Sequence, residues 1–110
     1  MNVTEFDILS MRFRCKQPLD ESVLKEHLIN KTAQECVYYT SNVQIDEASS
    51  LADTVYEMYN KYEKVIEKLR EQQGKVCLYI THHTQKAREL VIPNQLLRFL
   101  VEKEILVEVD

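Results

Sequence analysis

The feature that most constrains the fold is an apolar stripe at helical spacing in the middle of the chain. Steps of three and four residues place side chains on one face of a 3.6-residue helix. The stripe comprises Ala48, Leu51, Ala52, Val55, Met58, Tyr59, Tyr62, Val65, Ile66 and Leu69. It predicts a single helix from about Asp46 to Gln73, roughly 40 Å long at 1.5 Å per residue.

Both ends of this helix carry residues typical of caps. Asp46 is a candidate N-cap, and Ser50 with Asp53 fits a capping box if the helix begins later. Gly74 is the only glycine in the chain, and it follows Gln73, the last residue of the predicted helix. Because a residue at this position commonly needs a positive φ, we expect Gly74 to end the helix in that conformation.

Shorter patterns before the long helix predict two strands and a helix. Residues 6–16 alternate apolar and polar side chains, with Leu9, Met11, Phe13 and Cys15 on the apolar face. This period of two predicts a strand with one face exposed to solvent.

Pro18 opens a predicted helix from about Leu19 to Asn30. Residues 35–40 are rich in β-formers and predict a second strand, which Ser41 and Asn42 interrupt.

The last third of the chain predicts two or three strands and one helix. Val76 to Thr81 has apolar residues at both odd and even positions, as expected of a central strand covered on both faces. Residues 89–92 are a candidate short strand. Pro93 opens a helix whose inward residues are expected to be Leu96, Leu97, Leu100 and Val101. Ile105, Val107 and Val109 then predict a closing strand with its odd residues buried.

The resulting order is β-α-β-α-β-(β)-α-β within one domain, residues 1–110. It favours an α+β protein, a ferredoxin-like or related open-faced sandwich with helices on one face of a mainly antiparallel sheet. The regular alternation of strands and helices also permits a parallel sheet, which stays open as the alternative.

The chain lacks the motifs of nucleotide and metal chemistry. Both usual phosphate-binding fingerprints need at least two glycines, and this chain has one. Cys15, Cys36 and Cys77 are widely spaced, so we expect buried, reduced thiols and no zinc site. His82 and His83 are adjacent in a strand and point to opposite faces, which disfavours a shared metal. We therefore expect no catalytic residue, no metal, no cofactor and no enzymatic activity.

Net charge and hydropathy limit the kinds of binding partner and the cellular compartment that we expect for this chain. The chain has 18 acidic and 14 basic residues, a net charge of −4. This balance argues against nucleic acid and is compatible with a basic protein partner. The first ten residues include Glu5 and Asp7 and do not resemble a signal peptide. Since no apolar run approaches about 18 residues, we expect no membrane span and a cytoplasmic protein.

Six residues are candidates for binding a protein partner. The acidic ones gather near the last predicted strand, and they are Glu102, Glu104, Glu108 and Asp110. Glu104 and Glu108 share one parity with Leu106, so we expect them to point outward. Tyr38 and Tyr39 are adjacent in a strand, so one of them should face away from the core, and tyrosine is enriched at interfaces. A merely solvated acidic end and an ordinary exposed tyrosine remain the alternatives.

The layout resembles a bacterial group, domain-of-unknown-function family 4279. The shared features are an opening strand from Phe6 to Cys15, a long middle helix and the strand Val-Cys-Leu-Tyr-Ile. A closing helix, Ile-Pro-Asn-Gln-Leu-Leu-Arg-Phe-Leu-Val-Glu, is followed by Ile-Leu-Val-Glu-Val-Asp.

Small acidic α+β domains of this kind are also similar to immunity proteins of bacterial toxin systems, which bind and block one toxin. The resemblance implies a non-enzymatic protein-binding module, an immunity-type inhibitor of a bacterial toxin domain. A small-ligand-sensing or regulatory domain and a structural homodimer module are the alternatives.

Overall fold

The computed structural model describes residues 6–26, 29–31, 36–45, 50–83 and 90–110. Its elements in chain order are β1 (Phe6–Arg14), α1 (Glu21–Glu26), β2 (Asn30–Lys31), β3 (Val37–Tyr39), β4 (Val43–Ile45), α2 (Leu51–Lys61), α3 (Glu63–Glu71), β5 (Lys75–His83), α4 (Asn94–Glu102) and β6 (Ile105–Val109). The α+β open-faced sandwich expected from the sequence is confirmed. The candidate strand at 89–92 is wrong for residues 90–92, which belong to no strand, and residue 89 lies outside the described residues.

One mixed sheet carries all six strands. Its order is β2-β3-β1-β5-β6, and β4 also pairs with β1. β1 is antiparallel to β3, β4 and β5, while β5 and β6 are parallel and joined through α4. The connection from β4 through α2 and α3 to β5 passes over β1, which is a split β-α-β unit. The sheet is therefore mainly antiparallel, and the parallel alternative holds only for the last strand pair.

β3 and β4 are two halves of one strand that runs along β1. The three residues between them, 40–42, lie opposite only two residues of β1, 10–11, so the strand contains a β-bulge. The Thr40 side chain fills the gap, since its Oγ1 accepts the Met11 N–H at 3.0 Å. The break expected at residues 41–42 is thus a bulge, and the strand continues beyond it.

The core lies between one face of the sheet and the helices. Alternate residues of β1 and β5 are buried there, as a period of two requires. The strands contribute Leu9, Met11, Phe13, Val76, Leu78 and Ile80. The helices contribute Leu51, Val55, Met58, Tyr62, Val65, Ile66 and Leu69. The predicted apolar stripe therefore does cover the sheet, and burying each such side chain contributes about 1.5–3 kcal/mol.

The single long helix of the prediction is two helices, interrupted at Tyr62. The backbone of Tyr62 has φ −103° and ψ 17°, outside the helical range. Hydrogen bonds cross the interruption, because Tyr62 N–H donates to Met58 O at 3.1 Å and Ile66 N–H donates to Tyr62 O at 2.9 Å. The stripe therefore keeps its phase, which is why side-chain periodicity gave no sign of the break.

The ends of these two helices differ from the expected caps. Gln73, with φ 59°, adopts the left-handed conformation that was predicted for Gly74. Gly74 N–H donates to Leu69 O at 2.8 Å, as in a Schellman motif. Glycine is required for space, since a Cβ at this position would meet the Leu69 side chain and lie 2.7 Å from the Arg14 carbonyl oxygen. Ser50 occupies the N-cap of α2 without a side-chain cap bond.

The capping box of Ser50 with Asp53 is therefore not formed, and Asp46 lies outside the described residues.

The first helix begins at Glu21 and is capped by Asp20, whose Oδ1 accepts the Ser22 N–H at 2.9 Å. Hydrogen bonds from Ser22 lower the pKa of Asp20. Asn30, the predicted end of this helix, pairs instead with β3 as part of β2.

Candidate functional site

Large exposed hydrophobic side chains concentrate in the last twenty residues. Among the described residues, eight side chains of this kind are exposed, and six of them follow residue 90. These six are Val91, Leu97, Val101, Leu106, Val107 and Val109. Single exposed apolar residues are ordinary, but a contiguous group marks a candidate interaction surface.

The strand β6 forms one edge of the sheet. Asp110, just after β6, donates its N–H to Ile80 O at 2.9 Å and accepts the His82 N–H at 3.1 Å. Backbone groups of alternate strand residues point to opposite sides, so those of Val107 and Val109 point away from β5. In the part of the chain that the structure describes, no strand pairs with that side of β6.

The helix α4 lies beside β6 and faces two ways. Its side chains Leu96 and Leu100 are buried in the core. Phe99 points toward α2, where its ring makes edge-on contacts with Tyr56 and Tyr59, at centroid distances of 4.8 and 5.3 Å. These contacts fix which side of α4 is turned toward the middle of the sheet.

The opposite side of α4 is apolar and open to solvent. At about 100° per residue, Leu97 and Val101 lie roughly 160–200° around the helix from Phe99. Leu97 is 42% and Val101 78% exposed, so the prediction that both point inward is wrong. We call the joint surface of α4 and β6 the β6 edge surface, defined by Leu97, Val101, Leu106, Val107 and Val109.

The closing strand is less buried than its alternation predicted. Ile105 is buried, as expected, but Val107 is 36% and Val109 54% exposed. The physical reason is the position of β6 at the edge of the sheet, where it has a described neighbouring strand on one side only. The side chains of Val107 and Val109 are therefore open to solvent.

The four predicted acidic residues are exposed and lie in pairs at the two ends of β6. Glu102 ends α4, and Glu104 lies in the turn before β6 with φ 54°, so the strand-parity argument does not apply to Glu104. Glu108 pairs in register with Tyr79 on the sheet face that no described helix covers, here called the open face. Asp110 Oδ2 accepts the Tyr79 hydroxyl at 3.2 Å.

The open face carries a row of interacting polar groups across three strands. The Arg12 guanidinium lies 4.0 Å from the centroid of the Tyr79 ring, a cation–π contact. The hydrogen bond to Asp110 raises the pKa of the Tyr79 hydroxyl. The row from Arg12 through Tyr79 to Asp110 connects the middle of the sheet with the β6 edge surface.

The two tyrosine candidates point to opposite sides, as predicted. Tyr38 is fully buried, and its hydroxyl accepts the Leu19 N–H at 3.0 Å, so Tyr38 cannot contact a partner. Tyr39 pairs in register with Arg12 and is exposed on the open face. Only Tyr39 therefore stays a candidate for binding.

The three cysteines are free thiols, two half-buried and one buried. Burial, together with Cys36, raises the pKa of Cys15 to about 11. Burial also raises the pKa of Cys77, which pairs in register with Leu106 on the open face. Because the thiolate is the reactive form, these two thiols are poor nucleophiles near neutral pH.

A buried carboxylate and a histidine form a pair that the sequence did not reveal. Asp7 is buried, and its Oδ1 lies 2.5 Å from His82 Nδ1. The pairing of β1 with β5 places these residues opposite each other, although 75 positions separate them in sequence. Only knowledge of the strand register would have found this pair. Within the described residues, no group of three His, Cys, Asp or Glu side chains is placed to hold a metal ion.

A depression of about 260 Å³ lies between the loop before α1 and the end of α3, lined in part by Leu19, Val23 and Gln72. A larger depression of about 670 Å³ lies beside the start of β6 and is lined in part by Lys103 and Leu106. Its volume is within the roughly 300–1,000 Å³ of typical small-molecule pockets, so the ligand-sensing alternative stays open.

Comparison with known proteins finds no match, whether among protein-family models, curated proteins or solved structures. The resemblance to family 4279 accordingly stays a prediction. None of the described helices has the length and apolar character needed to span a membrane.

Proposed function

We propose that the protein is a non-enzymatic protein-binding module, most concretely an immunity-type inhibitor that binds and neutralises a bacterial toxin in the cytoplasm. The observation that carries this proposal is the β6 edge surface, an apolar area with acidic side chains at both ends. The net charge of −4 and the resemblance to toxin-immunity domains support the same reading.

The composition of this surface suits a protein interface. Interfaces typically have an apolar centre and a polar rim. Here the centre includes Val101 and Leu106, which are 78% and 55% exposed, and the rim includes Glu102 and Glu108. Covering these side chains removes apolar area from water, which contributes about 25 cal/mol per Å².

A standard interface buries about 800 Å² on each partner, more than five side chains provide. The open face extends the surface, because Leu106 and Glu108 lie on that side of β6. Tyr39 is on the third strand from β6, about 14 Å away at about 4.8 Å per strand. One partner can therefore contact Tyr39 and the β6 edge surface together.

The experiment is neutralisation of a toxin-like protein encoded beside the gene for this chain. We expect the purified proteins to bind each other and the toxin to lose its activity at equal molar amounts. Changing both Leu97 and Val101 to Lys should weaken binding at least about tenfold, because two apolar contacts are replaced by charges.

Val43→Lys is the matched control, since Val43 is an exposed valine at the opposite side of the sheet. It should leave binding unchanged. Full toxin activity in the presence of excess wild-type protein would reject the immunity function. Equal binding by the double variant would show that another surface holds the partner.

A further inference from the structure

We infer that β6 holds its partner by strand addition, in which an extended cationic segment pairs with the free side of β6 and lengthens the sheet by one strand. This inference rests on the proposed function, because it specifies how the same surface takes up a protein partner. It also specifies the chemistry of the segment that the surface accepts.

Backbone N–H and C=O groups on the outer side of β6 are available for such pairing. The N–H and C=O groups of Val107 and Val109 point away from β5, and no described strand meets them. β6 pairs with β5 in one continuous register from Ile105 to Val109, so this edge is straight and without a bulge. Protected edges usually carry a bulge, a proline or a lysine, and none of these occurs in β6.

The acidic residues around β6 argue against a second copy of this chain as the occupant. Antiparallel pairing of two copies must place outward-pointing residues opposite each other, that is, the odd-numbered residues of β6. With Val109 opposite its own copy, Glu108 faces Asp110. With Val107 opposite Val109, Glu108 faces Glu108.

Like charges directly opposite each other destabilise a strand pair, so the registers that pair the second half of β6 with itself oppose self-association. Lysine or arginine in the added strand replaces the repulsion with attraction.

The two sides of β6 specify an alternating pattern in the partner. On the helix side, Val107 and Val109 are exposed, and the exposed side of α4 adds Leu97 and Val101, which suits apolar side chains. On the open face, Glu108 and Asp110 suit lysine or arginine. Because successive strand residues point to opposite faces, the segment that fits alternates apolar and cationic residues.

The test uses the full chain and a short fluorescent peptide that alternates valine and lysine. We expect saturable binding by fluorescence anisotropy. Amide hydrogen exchange measured by NMR should slow at Val107 and Val109, whose N–H groups face the added strand, and stay unchanged at Leu106. A matched peptide that alternates valine and glutamate should bind at least about tenfold more weakly.

Two controls separate strand pairing from simple charge attraction. Val107→Pro removes an outward N–H and leaves the hydrogen bonds to β5 in place, so it should weaken peptide binding at least about tenfold. A valine–lysine peptide with N-methyl groups along its pairing side tests the same point without altering the protein. Undiminished binding of this N-methylated peptide would overturn strand addition.

The other outcomes are equally decisive. Equal affinity for the lysine and glutamate peptides would remove the cationic preference. A wild-type dimer by sedimentation that Val107→Pro dissociates would assign the edge to a second copy. Toxin neutralisation that survives Val107→Pro would reject strand addition and keep the proposed function. Peptide binding as expected without neutralisation would reject the immunity function alone.

Discussion

The two edges of the sheet are built differently. At one edge, the described part of β2 comprises two residues, Asn30–Lys31, and the neighbouring strand is interrupted by the bulge at Thr40. At the other edge, β6 runs for five residues without interruption. Short and bulged strands discourage pairing with other chains, whereas a straight apolar strand invites it. Of the two edges formed by described residues, the β6 edge is therefore the better suited to receive another strand.

The largest expected effect on stability lies in the packed layer between the two edges of the sheet. Ile66→Ala should lower the free energy of unfolding by about 2–5 kcal/mol, because Ile66 is 3% exposed and its removal leaves a cavity. Urea titration measures this loss. Lys64→Ala, at an exposed position of the same helix, is the control and should change stability by less than about 0.5 kcal/mol. A similarly small loss for Ile66→Ala would show that the stripe is not buried.

A smaller effect on stability is expected at the bulge between β3 and β4. Thr40→Val keeps the shape of the side chain but leaves the buried Met11 N–H without the oxygen that accepts it. We expect a loss of about 1–3 kcal/mol in thermal or urea unfolding. Thr54→Val, at a half-buried position of α2, is the control. If both variants unfold alike, the Thr40 hydroxyl does not hold the bulge.

The smallest expected effect on stability concerns the acids at the β6 edge. Reversing Glu104 and Glu108 to Lys should change the free energy of unfolding by no more than about 0.5 kcal/mol, since both side chains are exposed. The same reversal should slow association with a cationic partner, and the wild-type rate should fall as salt screens the charges. Stopped-flow kinetics with the valine–lysine peptide measures both. A rate indifferent to the reversal and to salt would remove these acids from the binding surface.

The sequence predicted the elements with strong periodicity and missed those that depend on position in the fold. The apolar stripe of α2 and α3 and the alternation of β1 were sufficient to identify the core. In α4, by contrast, Leu96 and Leu100 alternate with Leu97 and Val101, so either pair can face the sheet by pattern alone. Contact of Phe99 with α2 decides which pair is buried.

Other features carry no local signal at all. β2 is too short to show a period, and the bulge resembles a turn in composition. The pair of Asp7 and His82 depends on a register between distant strands. For Gly74, sequence cannot distinguish a need for positive φ from a need for space, and the structure assigns the positive φ to Gln73.

The burial of Cys77 on the open face limits how fast its thiol can be chemically labelled. Cys77 is 7% exposed and neighbours Leu106 in register, so an alkylating reagent reaches its sulfur only after neighbouring groups on the open face move aside. Its raised pKa slows the reaction further, because little thiolate is present near neutral pH. The labelling rate of Cys77 therefore reports how often this part of the open face becomes accessible. A partner that adds to this edge should slow the labelling of Cys77, which mass spectrometry can follow separately from Cys15 and Cys36.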